Sequence, residues 1–142
     1  MLVNEWVETL WTILNVRAKT LSNYKHQYYK YLQPILGSVE LDSVKPVEVQ
    51  KLLLSLPPQT SRHTLMLIKT IYREASLYGH TNFNPTIGLK TPTIQVKDRK
   101  FLTWAEVDER DWGKYNEQIR FLALHGLRWS EAVAIKIGRA HV

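Results

Sequence analysis

Cysteine is absent from the 142 residues. That excludes disulfides, thiolate nucleophiles and the zinc arrangements that depend on cysteine, and it fits an intracellular chain. Glycine and proline are scarce, six of each, while 44% hydrophobic and 23% charged residues make a balance that buries a core and argues against wholesale disorder. No apolar run approaches the roughly 18 to 20 residues that span a bilayer. The N-terminal stretch MLVNEWVETLW carries Glu5 and Glu8 where a signal peptide needs a basic start and an unbroken apolar segment. The expectation is a cytoplasmic protein with no membrane partner. Its length suits one domain, or a small domain plus part of another.

Acidic residues are also scarce, but only in one part of the chain. Residues 17–100 hold 13 Lys and Arg against 5 Asp and Glu, whereas residues 101–135 hold 4 against 6. A basic segment of that size attracts polyanions, because each neutralised phosphate releases condensed counterions. A solvated basic face with no specific partner fits the charge alone equally well.

What is abundant is helical periodicity. Leu2, Val3, Trp6, Val7, Leu10, Trp11, Ile13 and Leu14 recur at spacings of three and four, which predicts a helix over 3–15. The run TLSNYKHQYYKYLQPIL places Leu21, Tyr24, Tyr28, Tyr31, Leu32 and Ile35 on one side, with Thr20 as N-cap and Gly37 ending the unit. A third helix opens at Pro46, carries Val47, Val49, Leu52, Leu53 and Leu56, and is stopped by Pro57-Pro58. A fourth, with Thr60 or Ser61 as cap and Gly79 at its end, buries Leu65, Ile68, Ile71, Tyr72, Ala75 and Leu77. Asn84-Pro85, Gly88 and Pro92 then break the pattern, and Lys97, Arg99 and Lys100 follow in what reads as a basic linker. Thr103 and Glu106 form a capping-box pair announcing helices over 104–111 and 115–125, with another starting near Trp129. No stretch shows sustained alternation of period two, and no internal repeat is present.

Four amphipathic helices, a basic linker and a second helical start together resemble the tyrosine recombinases, the phage-type integrases. The phrases KTLSNY, LQPILGSVELDSVKPVEVQKLL and IYREASLYGHTNFNP, within residues 17–89, are similar to that family's helical core-binding domain. LTWAEV leading to ALHGLRWSEAVAI, within 101–136, is similar to the opening of its catalytic domain. The resemblance implies an all-α chain as present, a four-helix core-binding (SAM-like) domain followed by the first helices of a truncated mixed α+β catalytic domain. The organisation expected is a helical core DNA-binding domain over 1–89, a basic linker over 90–103 and the start of the catalytic domain over 104–136.

The most specific phrase is Gly-Leu-Arg-x-x-Glu at 126–131. The resemblance implies that Arg128 is similar to the first of two arginines gripping the scissile phosphate. A guanidinium suits that task, being always charged, planar and able to donate two parallel hydrogen bonds to non-bridging oxygens. Taken alone, an arginine there reads more readily as a solvent-facing cap on the last helix, and it is the surrounding phrase that favours the phosphate-gripping role. Glu131 either orients Arg128 or forms a surface pair with it across one turn. His125 is read as structural.

The family further uses a lysine on a hairpin, a His-x-x-Arg, a further His or Trp and a tyrosine nucleophile, all later in the chain than this phrase. The seven tyrosines here, at 24, 28, 29, 31, 72, 78 and 115, all precede Arg128, so none matches the nucleophile's place. Without one no 3′-phosphotyrosyl intermediate forms, and this chain alone is expected to be inactive. The resemblance implies double-stranded DNA as partner, held between the two domains, no small-molecule substrate, no metal, no cofactor, and a full-length parent that oligomerises on DNA. The residues expected to touch DNA are Arg17, Lys19, Lys25, Arg62, His63, Lys69, Arg73, Lys97, Arg99 and Lys100. A stand-alone helical DNA-binding regulator and a helical interaction domain without a nucleic-acid role remain rival readings.

The last six residues, Ile137-Gly138-Arg139-Ala140-His141-Val142, read as a non-native tail. Their codons can be written as the read-through of a common short-read sequencing adapter, a frayed natural terminus being the alternative. With the helices over 104–135 separated from partners, Phe121, Leu122, Leu124, Val133 and Ile135 are expected to be exposed or to collapse onto the first domain.

Overall fold

The computed structural model of the chain describes residues 1–134. It divides into two compact units, Met1–Gln95 and a second that begins at Val96. The first unit holds five α-helices, two of them continuous: α1 (Val3–Ile13); α2 (Ala18–Gln27), which runs through a π-helical turn (Tyr28–Leu32) into α3 (Gln33–Leu36); α4 (Pro46–Ser55); and α5 (Pro58–Leu77). Among the described residues there is no strand, and the one β-type pairing is a bridge between Leu2 and Glu40. The all-α class is therefore the class observed.

The core follows the apolar periodicity. Val3, Trp6, Val7, Leu10 and Trp11 of α1 meet Leu65, Leu67, Ile68, Ile71, Tyr72 and Ala75 of α5 in one buried cluster with Tyr28, Leu32, Leu36, Val49 and Leu53. Two buried polar handles tie the helices together. The Trp6 indole N–H donates to the Ile71 carbonyl at 3.0 Å, and the Tyr72 hydroxyl donates to the Leu41 carbonyl at 3.0 Å. Each aromatic buries a large apolar body while its one polar atom finds a partner.

Three expectations are corrected. Thr20 is not a cap: α2 starts at Ala18 behind Arg17, so Thr20 lies inside its first turn. Neither Thr60 nor Ser61 caps α5, which starts at Pro58 behind Pro57. Proline at a first helical position has no N–H to satisfy and a φ already suited to the helix, so the helix begins earlier than the polar residues suggested. Finally, Ile35 is exposed and Leu36 is buried. The π turn, in which the Gln33 N–H reaches the Tyr28 carbonyl, is wider than an α turn and delays the inward face by one residue. Ile13, Val47 and Leu77, assigned inward from their spacing, are likewise exposed near helix ends.

Where α4 gives way to α5, the chain meets a hydrogen-bonding deficit. The Leu53 carbonyl would accept from residue 57, but Pro57 has no N–H. The Ser61 hydroxyl, fully buried, donates to it instead at 2.6 Å. At the other end of α5, Gly79 takes a left-handed φ of 78°. The Gly79 and His80 N–H groups bond the Ser76 and Ala75 carbonyls at 3.1 and 2.8 Å, the pattern that closes a helix on a glycine.

In the second unit, residues up to Thr103 have no regular secondary structure, followed by α6 (Trp104–Glu109), a short 3₁₀ turn (Gly113–Tyr115), α7 (Asn116–His125) and α8 (Trp129–Ala134). The capping box is present as expected: the Thr103 N–H donates to the Glu106 carboxylate at 2.8 Å, and the Glu106 N–H donates to the Thr103 hydroxyl at 3.3 Å. Asp111 shapes the turn into α7 by accepting from the Gly113 N–H at 2.8 Å and the Asn116 amide at 3.1 Å. Those bonds, the Gly113 one foremost, hold its carboxyl below the ordinary range. Phe121, Leu124, Trp129 and Val133 are exposed, and Leu122 is half-buried. Ile135, Lys136 and the six-residue tail lie outside the described residues.

Candidate nucleic-acid interface

The first unit presents a polar face on the side of α5 opposite its core. Arg62, Met66, Lys69 and Arg73, spaced by four, three and four, form one exposed stripe along that helix. Beside it, His63 and Met66 share a shallow groove with Thr20, Asn23, Tyr24, His26 and Gln27 of α2, a space of about 360 Å³. No carboxylate lines it. The His63 ring nitrogen Nε2 and the Gln59 amide lie 3.0 Å apart, which fixes the ring on the groove's edge.

The predicted DNA contacts fall into separate places. Arg62, His63, Lys69 and Arg73 are together on α5, all exposed, though the Arg73 guanidinium also pairs with Glu74 at 3.3 Å. Arg17 stands before the first residue of α2, and Lys19 sits one turn before Asn23 on the groove side. Lys25, two residues from Gln27 and so roughly 200° around the helix, is turned away from the groove. Lys97, Arg99 and Lys100 are exposed on the irregular stretch that opens the second unit.

Sequence reasoning listed the cations and passed over the neutral polar floor between them. Thr20, Asn23 and Gln27 repeat at helical spacing on one side of α2, which was the available signal.

Arg128 stands immediately before α8, after Gly126, which closes α7 with a left-handed φ of 65°. Its side chain is exposed, and among the described residues it forms no ion pair. The Glu131 carboxylate accepts from the Arg128 backbone N–H at 2.9 Å. It therefore fixes the helix start from which the guanidinium projects, and acts on Arg128 through the backbone. His125 is engaged structurally: its ring stacks on Phe121 with centroids 4.2 Å apart, and its Nδ1 lies 2.9 Å from the Phe121 carbonyl.

Three tyrosines of the first unit, Tyr28, Tyr29 and Tyr72, are poorly disposed to act as nucleophiles. Burial, with Tyr29 and Glu8 adding to it, pushes the Tyr28 phenol up to about 12. Burial raises Tyr72 as well, and Tyr29 is raised chiefly by the hydrogen bond it donates to Glu8 at 2.6 Å. A phenol that ionises late supplies little phenoxide near neutral pH.

Comparison with known proteins agrees with this architecture. Residues 1–56 match the phage integrase N-terminal SAM-like domain. An integrase of Saccharopolyspora erythraea is 29% identical over 94% of this chain, which spans about a third (33%) of that relative's length. A solution NMR structure of a fragment from Clostridium leptum has the same fold, with a TM-score of 0.58 at 21% identity over 70% of this chain and 95% of its own. These likenesses support the tyrosine recombinase, or phage integrase, family for this chain. No helix among the described residues is long and apolar enough to cross a membrane.

Proposed function

We propose that this chain is the DNA-binding portion of a cytoplasmic site-specific tyrosine recombinase, and that it holds double-stranded DNA against the α2–α5 face. The observation that carries the reading is the exposed stripe of Arg62, Lys69 and Arg73 in a fold whose sequence relatives are integrases. Guanidinium and ammonium groups in a row along a helix track phosphates and set the register of a protein on a duplex. Arg17 and Lys19 extend the row from α2, and Lys97, Arg99 and Lys100 add charge in the irregular stretch before Thr103.

In the complete recombinase, Arg128 grips non-bridging oxygens of the scissile phosphate, where negative charge builds in the transition state. Glu131 keeps the helix start in place beneath it. A tyrosine oxygen attacks phosphorus, the 5′-oxygen leaves, and the 3′-phosphotyrosyl bond stores the energy for rejoining, with neither metal nor nucleotide. No tyrosine of this chain matches the nucleophile's place, so the chain by itself binds and does not cut. Duplex binding followed as salt is raised tests the reading. A log–log slope equivalent to several phosphates supports it, and absence of binding at low salt overturns it.

A further inference from the structure

We propose that the α2–α5 groove reads base edges, with the side-chain amides of Asn23 and Gln27 recognising adenine in the major groove. This rests on the DNA-binding reading above and adds to it the part of the duplex that the groove takes.

The first argument is an account of the amide side chains on the first unit's helices. Asn4 accepts from the Tyr28 hydroxyl and the Gln33 amide, each at 3.3 Å. Gln50 is bound to the Lys90 backbone in both directions, at 2.7 and 2.9 Å, and Gln59 is engaged with His63. Asn23 and Gln27 alone have no hydrogen-bond partner among the described residues, and both line the same groove. The amides used by the fold are occupied, and the free ones converge.

The second argument is chemical. An amide offers one donor and one acceptor side by side, the complement of the adenine N6 and N7 edge, which is the pairing that asparagine and glutamine make in the major groove. Residues four apart stand one above the other on a helix with a rise of about 6 Å, against about 3.4 Å between base pairs, so the two amides address base pairs one or two steps apart. Met66, 60% exposed on the facing helix, supplies an apolar surface suited to a thymine methyl group.

The third argument is the charge layout. The cations of α5 and Lys19 border the groove while its lining side chains are Thr20, Asn23, Tyr24, His63 and Met66 with their neighbours, none of them acidic. Borders that hold phosphates around a neutral polar floor divide positioning from reading.

The test uses the 142-residue chain. A library of duplexes with a randomised core is selected by the wild type, by Asn23→Ala and Gln27→Ala, and by Arg62→Gln as a phosphate-contact control. The wild type is expected to prefer adenine at one or two positions no more than two steps apart, by about tenfold each. Each alanine variant is expected to abolish the preference at one position while keeping the salt slope and the helical circular dichroism of the wild type. Arg62→Gln is expected to keep the preference and lower the slope by about 0.9. Wild-type binding without any adenine preference, or a preference that survives both alanine variants, overturns the base-reading proposal and leaves DNA binding standing. Failure of the wild type to bind any duplex overturns both.

Discussion

Two buried hydroxyls one turn apart on α5 should respond to removal in opposite ways. Ser61 and Thr64 are both fully buried. The Ser61 hydroxyl donates at 2.6 Å to the Leu53 carbonyl, the group that proline at position 57 leaves without its helical donor. Ser61→Ala therefore strands a buried carbonyl, at a cost of about 1–3 kcal/mol. For a domain of this size that is a fall in melting temperature of roughly 4–24 °C, at about 4–8 °C for each kcal/mol. The Thr64 hydroxyl has no partner among the described residues. Thr64→Val keeps the shape and removes a desolvated polar atom, so stability should be unchanged or raised by about 1 kcal/mol. Trp6 and Trp11, both buried in the first unit, report its unfolding by fluorescence in a urea titration. If Ser61→Ala unfolds within about 0.5 kcal/mol of wild type, or Thr64→Val costs as much as Ser61→Ala, the account of the α4–α5 junction is wrong.

Trp6→Phe keeps the ring in the core but removes the indole N–H that reaches the Ile71 carbonyl at 3.0 Å, and should lower stability by about 1 kcal/mol in the same titration. Tyr28 ionises in the folded state only at about 12, against 10.0 for a free phenol, so the stability it lends is full below pH 10 and lost as pH rises through 12. Tyr72 is shifted in the same direction. The unfolding midpoint should accordingly fall across that window, and a phenolate absorbance titration should show these tyrosines ionising late; a midpoint flat to pH 12 would contradict their burial.

Much of the fold is legible in the sequence because the core is built from amphipathic helices. Trp6, Val7 and Leu10, or Leu65, Ile68 and Tyr72, fall inward by spacing alone, and Thr103 with Glu106 marks a helix start that the structure contains. Misassignments arise where local geometry departs from the ideal period. The π turn at Tyr28–Leu32 exchanges Ile35 for Leu36, and paired prolines open α5 before the polar residues that resemble caps. The candidate site was legible in its charges, since lysine and arginine on helices remain exposed. Its neutral floor was not, because a free amide such as Asn23 and a bound one such as Gln50 look alike until the fold shows which has found a partner.

The claim that α5 carries a phosphate-tracking stripe is tested most directly by comparing the salt dependence of duplex binding between the wild type and a variant with Arg62, Lys69 and Arg73 replaced by glutamine. Three lost phosphate contacts, at about 0.9 each, should flatten the log–log slope by about 2.7, with the salt bridge of Arg73 to Glu74 making the change somewhat smaller. An unchanged slope in a folded variant would contradict the account, since it would place the DNA elsewhere on the chain.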